Sequence, residues 1–203
     1  MAKKICIDKR WIGEDYEPFV IAEIGINHNG EFDKAKKMIC DARQSGAECV
    51  KFQCHIIDDE MIKNDVIPGN TDEPIWKLVD RCSFNEQQEI ELKELTESLG
   101  MIYLSTPFSR AAADRLEKMN VLAYKIGSGE CNNIPLIKHI ASFGKPIILS
   151  TGMNDLSSIS ESVLILEDAK IDYALLHVTS IYPTPYDKVR LNALAELKRE
   201  FPN

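Results

Sequence analysis

Phe19-Val20-Ile21-Ala22-Glu23-Ile24, then Gly30–Ser45, then Glu48-Cys49-Val50-Lys51-Phe52-Gln53 is the stretch that decides the fold. The first and last runs are apolar on both faces, as strands buried from both sides require. Between them Phe32, Ala35, Met38, Ile39 and Ala42 form one stripe at helical spacing, and Gly46 stops it. Strand, helix, strand in that order predicts two parallel strands joined by a crossover helix.

The same alternation continues outward. Further apolar runs lie at Met101–Ser105, Val121–Ile126, Pro146–Ser150 and Tyr173–Val178, with helical patterns at Asn85–Leu99, Arg110–Met119, Ile134–Phe143, Ser157–Glu167 and Asn192–Phe201. Ser83-Phe84-Asn85-Glu86 has the spacing of a capping box opening the second long helix. No G-x-G-x-x-G follows the first strand, which disfavours a dinucleotide-binding sheet. The expectation is an α/β chain of the TIM (β/α)8 barrel class, of which about six βα units are present. Barrels of this kind run to about 250 residues, so residues 17–203 are expected to form an incomplete barrel. Residues 1–16 are read as an N-terminal hairpin built on Ile5–Ile7 and Trp11-Ile12. The connection His55–Phe84 is long for a simple linker, and a segment of that size is expected to act as a lid or binding loop.

The chain has 203 residues and a net charge of −8. That balance argues against nucleic acid as the main partner. It also requires a local cluster of Lys or backbone N–H groups wherever an anionic substrate binds. No apolar run reaches the roughly 20 residues that cross a bilayer, so no membrane association is expected. Six cysteines without a C-x-x-C pair point to a reducing, cytoplasmic compartment. The four histidines show no metal-ligand spacing.

In barrels the active site lies at the C-terminal ends of the strands. Polar residues cluster there in this sequence: Glu23 with Asn27 and His28, Lys51 with Gln53, Ser105 with Thr106, Lys125 with Ser128 and Glu130, Ser150 with Thr151, and His177 with Thr179, Ser180 and Tyr182. An isolated Glu or Lys at a strand end is as often simply solvated. Lys51 and Lys125 are harder to dismiss, because each follows an apolar run where an unpaired ammonium is costly. With Ser and Thr hydroxyls they suit a phosphate or carboxylate. Glu23 and Glu130 suit acid–base work. His177 reads as support for the barrel interior, His28 is open to either reading, and Cys54 and Cys131 read as bystanders.

Six stretches together resemble the N-acetylneuraminate (sialic acid) synthase family: Phe19–Gly30, Val50–Gln53, Ser105–Ser109, Tyr124–Glu130, Leu149–Met153 and Ile181–Tyr186. The resemblance runs from about residue 17 to Asn203. It implies condensation of phosphoenolpyruvate with N-acetylmannosamine and water, giving N-acetylneuraminate and phosphate. By motif, Lys51, Lys125, Ser128 and Ser150 would hold phosphoenolpyruvate with Thr106 beside them. Glu23 and Glu130 would handle protons, and Gln53, Asn70 and Tyr182 would contact the sugar. Ser180 stands where the family carries Asn. The resemblance also implies Mn2+ or Mg2+, with its histidine ligands beyond Asn203, and an antifreeze-like domain that lends an Arg to the other subunit of a homodimer. On that reading the 203 residues alone are expected to be inactive. The alternatives are a synthase of a related nonulosonic acid such as legionaminic acid, an inactive truncated barrel, and a Schiff-base aldolase using Lys125.

Overall fold

The computed structural model describes residues 4–69 and 71–202. A short antiparallel hairpin comes first, β1 (Ile5–Ile7) paired with β2 (Arg10–Ile12) in the register Ile5↔Ile12. Asp8 and Lys9 both take left-handed φ values, 49° and 63°. A two-residue turn needs this to match the twist of its strands. There follow β3 (Ile21–Gly25), α1 (Phe32–Gln44), β4 (Cys49–Cys54), α2 (Ile57–Glu60), α3 (Ile75–Cys82), α4 (Glu86–Ser98), β5 (Ile102–Pro107) and α5 (Arg110–Lys118). Then come β6 (Tyr124–Ile126), α6 (Ile134–Ala141), β7 (Ile147–Ser150), α7 (Leu156–Asp168), β8 (Tyr173–Leu176) and α8 (Asn192–Glu200).

The α/β class, the parallel strands and the order of helices are as the sequence predicts. One continuous run of six strands is not seen among the described residues. Pairing is confined to two three-stranded parallel sheets, β3-β4-β5 and β6-β7-β8. The fourth apolar run explains the break. Val121 does not extend a strand, because its N–H bonds back to Leu116 O at the end of α5, and regular strand geometry begins only at Tyr124. The chain accordingly divides into two compact units. One is Phe19–Leu122. The other joins the hairpin segment, up to Pro18, to the chain from Ala123 onward.

In the Phe19–Leu122 unit, β4 is the central strand and is buried along almost its whole length. Phe52 stacks on Tyr103 of β5 at 5.7 Å, and Val50, Leu104, Ile39 and Leu92 complete the core. The capping box lies two residues later than the sequence spacing predicts. Asn85 is the N-cap of α4: its side chain accepts from Gln88 N–H, and Gln88 returns the bond to Asn85 N–H. Ser83 is unavailable for that role, since its hydroxyl donates to Val79 O and closes α3.

The segment His55–Phe84 is partly helical, holding α2 and α3. It is anchored at several points. Asp59 accepts the Ala111 N–H at the start of α5, and Arg81 binds Glu73 at 2.6 Å and Asn29 O at 3.1 Å. Asn70, a predicted sugar contact, lies outside the described residues.

In the other unit Ile147, Leu149, Tyr124 and Ile126 form the sheet core, and Leu136, Ile137, Ile140, Ile159, Val163 and Leu166 cover it from α6 and α7. Among the described residues no helix is long and apolar enough to cross a membrane. The six cysteines are free thiols.

Candidate functional site

Each of the two parallel sheets carries a buried lysine bonded to a hydroxyl on the next strand. In β4, Lys51 is 6% exposed, and its ammonium donates to Thr106 Oγ1 at 3.0 Å and pairs with Glu23 Oε2 at 2.8 Å. In β6, Lys125 is also 6% exposed, and donates to Ser150 Oγ and to Ile126 O, both at 2.6 Å. The two arrangements share a register. Lys51 lies opposite Leu104 and binds Thr106, while Lys125 lies opposite Ile148 and binds Ser150. In both cases the hydroxyl belongs to the residue two positions past the register partner, on the same face of its strand. An ammonium can stay this far from water only with such partners.

Around Lys51 the sheet edge is shaped by a bulge between Glu23 and Gly25. Gly25 takes φ +53°. A Cβ there would lie 3.2 Å from Glu23 Oε1 and 3.7 Å from Gln53 Nε2. Glu23, Lys51, Gln53 and Thr106 are therefore brought together over a space that glycine leaves open.

Around Lys125 the chain makes a single 3-10 turn at Ser128–Glu130. Glu130 Oε2 accepts from Asn133 Nδ2, whose own side chain caps α6. Asn154 donates to Ser128 O at 2.8 Å and to Gly152 O at 2.7 Å, tying the ends of β6 and β7 together. A Cβ on Gly152 would meet Ser180 Oγ at 2.7 Å, Val178 O at 2.8 Å and Ser128 Oγ at 2.9 Å. Ser128 and Ser180 thus flank Gly152 closely.

Of the two carboxylates read as suited to acid–base work, Glu23 pairs with Lys51 in one unit and Glu130 accepts from Asn133 in the other. Tyr182, the expected sugar contact, is 74% exposed. His177 donates to Val189 O, in keeping with a supporting role. Burial, with Glu89 close by, raises the Cys54 thiol, and burial raises that of Cys131. Neither is a poised nucleophile.

The residues described do not fit the expected Mn2+ or Mg2+. They include no group of three His, Cys, Asp or Glu that could hold an ion, and the site histidines are already engaged.

Three participants escaped the sequence reading. Gly152 and Asn154 shape the Ser128 turn. His55 lies two residues beyond Gln53 and touches it; the period of an extended strand was the available signal. His28 is buried and stacked on Phe84 at 4.3 Å. Burial brings it down to about 4, with a smaller push from Lys34 and an opposing bond to Gly25. Its Nδ1 accepts the Gly30 N–H, which only a neutral ring can do. Since folding depresses this group, its contribution to stability is complete above its ordinary value of 6.5 and is lost as pH falls toward 4. The loss by pH 4 is expected to be on the order of 3 kcal/mol. Urea midpoints at pH 7 and 4.5 should therefore differ less in His28→Phe than in the wild type; equal differences would refute this origin.

Known proteins share both the sequence and the architecture. The model of the NeuB family matches residues 38–203. An uncharacterized protein of Methanocaldococcus jannaschii is 40% identical over 200 residues, covering 98% of this chain and 57% of that protein. The N,N'-diacetyllegionaminic acid synthase of Legionella pneumophila is 36% identical, over 93% of this chain and 56% of its own. The crystal structure of an N-acetylneuraminic acid synthetase from Leptospira borgpetersenii, in complex with citrate, superposes with a TM-score of 0.90 at 30% identity. It covers 99% of this chain and 68% of that one. The chain thus spans a little over half the length of these curated relatives. With the family model matched over most of its residues and the fold shared throughout, the chain belongs to the NeuB family.

Proposed function

We propose that this chain is the phosphoenolpyruvate-condensing part of a nonulosonic acid synthase, with N-acetylmannosamine as the acceptor. The recurrence of a buried lysine bonded to a strand-end hydroxyl supports this reading most. A lysine–hydroxyl pair suits the anionic groups of phosphoenolpyruvate, a phosphate and a carboxylate, in a protein whose overall charge of −8 repels them. Lys125, Ser150 and Ser128, together with Lys51 and Thr106, are assigned to that substrate. Gln53 and Tyr182 offer amide and hydroxyl groups to the acceptor, while Ser180, which flanks Gly152 with Ser128, stands with the phosphoenolpyruvate residues.

In the reaction, carbon 3 of phosphoenolpyruvate bonds to the aldehyde carbon of the open-chain sugar, and the aldehyde oxygen takes a proton. Water adds at carbon 2, and phosphate leaves with cleavage of the C–O bond. Glu23 and Glu130 are assigned to proton exchange and to ordering the water or sugar hydroxyls. Glu23 is suited by its half-exposed carboxylate beside the Lys51 ammonium.

A related acceptor is the second reading, since a relative 36% identical is named for diacetyllegionaminic acid. The test uses the natural full-length protein with phosphoenolpyruvate carrying 18O in its bridging position. Phosphate release should require the amino sugar, the label should leave in phosphate, and comparing the mono- and diacetylated sugars should identify the acceptor. Pyruvate trapped on Lys125 by borohydride would instead establish the Schiff-base aldolase.

A further inference from the structure

We propose that His55 is a positioning residue: held by Glu60, it fixes which end of the Gln53 amide is presented to the acceptor. This rests on the assignment of Gln53 to the amino sugar. Gln53 and His55 lie two residues apart where β4 ends, so an extended backbone sends both side chains to one side. His55 Nε2 is 3.0 Å from Gln53 Oε1, and its Nδ1 is 2.7 Å from Glu60 Oε2. The ring stacks on Phe108 at 4.5 Å with 16° between planes. His55 is 5% exposed, and the Glu60 side chain is nearly as buried. The other charged groups in this neighbourhood are already committed. Glu89 of α4, which interacts electrostatically with the ring, pairs with Arg115 of α5 at 3.3 Å, and Asp59 of α2 accepts the Ala111 N–H.

The chemistry of these partners dictates the outcome. A carboxylate only accepts, so Nδ1 carries a hydrogen toward Glu60. An amide is nearly symmetric in shape, so the atom at Nε2 decides its orientation. Gln53 turns Oε1, an atom that only accepts, toward Nε2, so Nε2 must donate as well, and the ring carries hydrogens on both nitrogens, as an imidazolium facing the Glu60 carboxylate. The amide nitrogen is thereby turned the other way, to within 3.7 Å of the Cβ position left empty at Gly25, beside Glu23 Oε1. Gln53 therefore shows donors to this space. A donor pair there suits an acceptor oxygen of the sugar, such as the N-acetyl carbonyl. With the donor lost from position 55, the amide can rotate and present its carbonyl, which repels that oxygen. Glu60 acts one step further back by holding the ring in plane.

The test is kinetic, on the natural full-length protein. H55L keeps bulk without a donor, whereas the amide of H55Q can still donate to Gln53 Oε1. H55L should raise the KM for the amino sugar about tenfold, the effect of one misdirected hydrogen bond, and leave that for phosphoenolpyruvate within about twofold. H55Q should recover most of the loss, and E60Q should fall between. Equal effects of H55L and H55Q, or equal shifts in both KM values, would overturn the proposal. Q53A separates the two assumptions. If it leaves the sugar KM unchanged, the assignment of Gln53 to the sugar falls. The His55–Gln53 coupling is then judged on the side-chain amide 15N–1H signals of Gln53, which should move in H55L and not in H55Q. Signals alike in both would remove the coupling as well.

Discussion

Lys125→Ala is expected to lower kcat/KM for phosphoenolpyruvate by on the order of 10²–10³-fold in the natural full-length protein, because charge-assisted hydrogen bonds contribute about 1.5–3 kcal/mol each. The substitution removes the ammonium that would meet an anionic group. It also takes a donor from Ser150 Oγ and Ile126 O, both at 2.6 Å in a site almost closed to water. The hydroxyl then turns without direction, and the anion meets a neutral wall. Lys125→Arg should not restore activity. A planar guanidinium fits poorly in a space shaped for a compact ammonium. Steady-state rates with phosphoenolpyruvate varied at saturating amino sugar give the comparison. Wild-type kinetics in Lys125→Ala would remove this residue from the substrate.

Gly30→Ala should be the most damaging single methyl in the Phe19–Leu122 unit. Gly30 takes φ +82°, and a Cβ would stand 2.2 Å from the carbonyl oxygen of Arg81 and 3.2 Å from its carbon. Both atoms are backbone at the end of α3, so neither can rotate away. Left-handed strain of about 1 kcal/mol adds to overpacking of about 1–3 kcal/mol, giving a loss of about 2–4 kcal/mol. For a chain of this size that lowers Tm by roughly 5–15 °C. Gly46 is the internal control: its φ is +87°, yet nothing lies within 4 Å of its Cβ position. Gly46→Ala should lose only the strain contribution. Equal melting points for the two variants would show that the contact with Arg81 yields freely.

The order of elements was readable because apolar runs and helical stripes are local properties of the sequence. Ile134–Ala141 and Arg110–Lys118 lie within a residue or two of their expected limits for that reason. The shortfalls arise where a distant group decides. Val121 looks like a strand residue until Leu116 O claims its N–H. Ser83 looks like an N-cap until Val79 O claims its hydroxyl. At the candidate site, Lys51 and Lys125 stood out because a charge after an apolar run needs an explanation. Their hydroxyl partners stood among the candidates, but the pairing needs the strand register, which no single segment contains. His55 was overlooked because nothing in the sequence brings Glu60 back to it; that requires the turn of α2.

The division into units also bears on how the chain is made. Phe19–Leu122 is one uninterrupted stretch, whereas the hairpin belongs with residues that follow Ala123. On a ribosome the hairpin therefore emerges well before its partners and settles late. At about 5–20 residues per second it waits roughly 5–20 s for Ala123 to appear. An isolated two-stranded ribbon is marginal in water, and Ile5 and Ile7, buried in the finished fold, are uncovered meanwhile. Lys198 of α8, which binds Glu14, is made 184 residues after it. The Phe19–Leu122 unit can thus be organised before the hairpin that precedes it has met its partners.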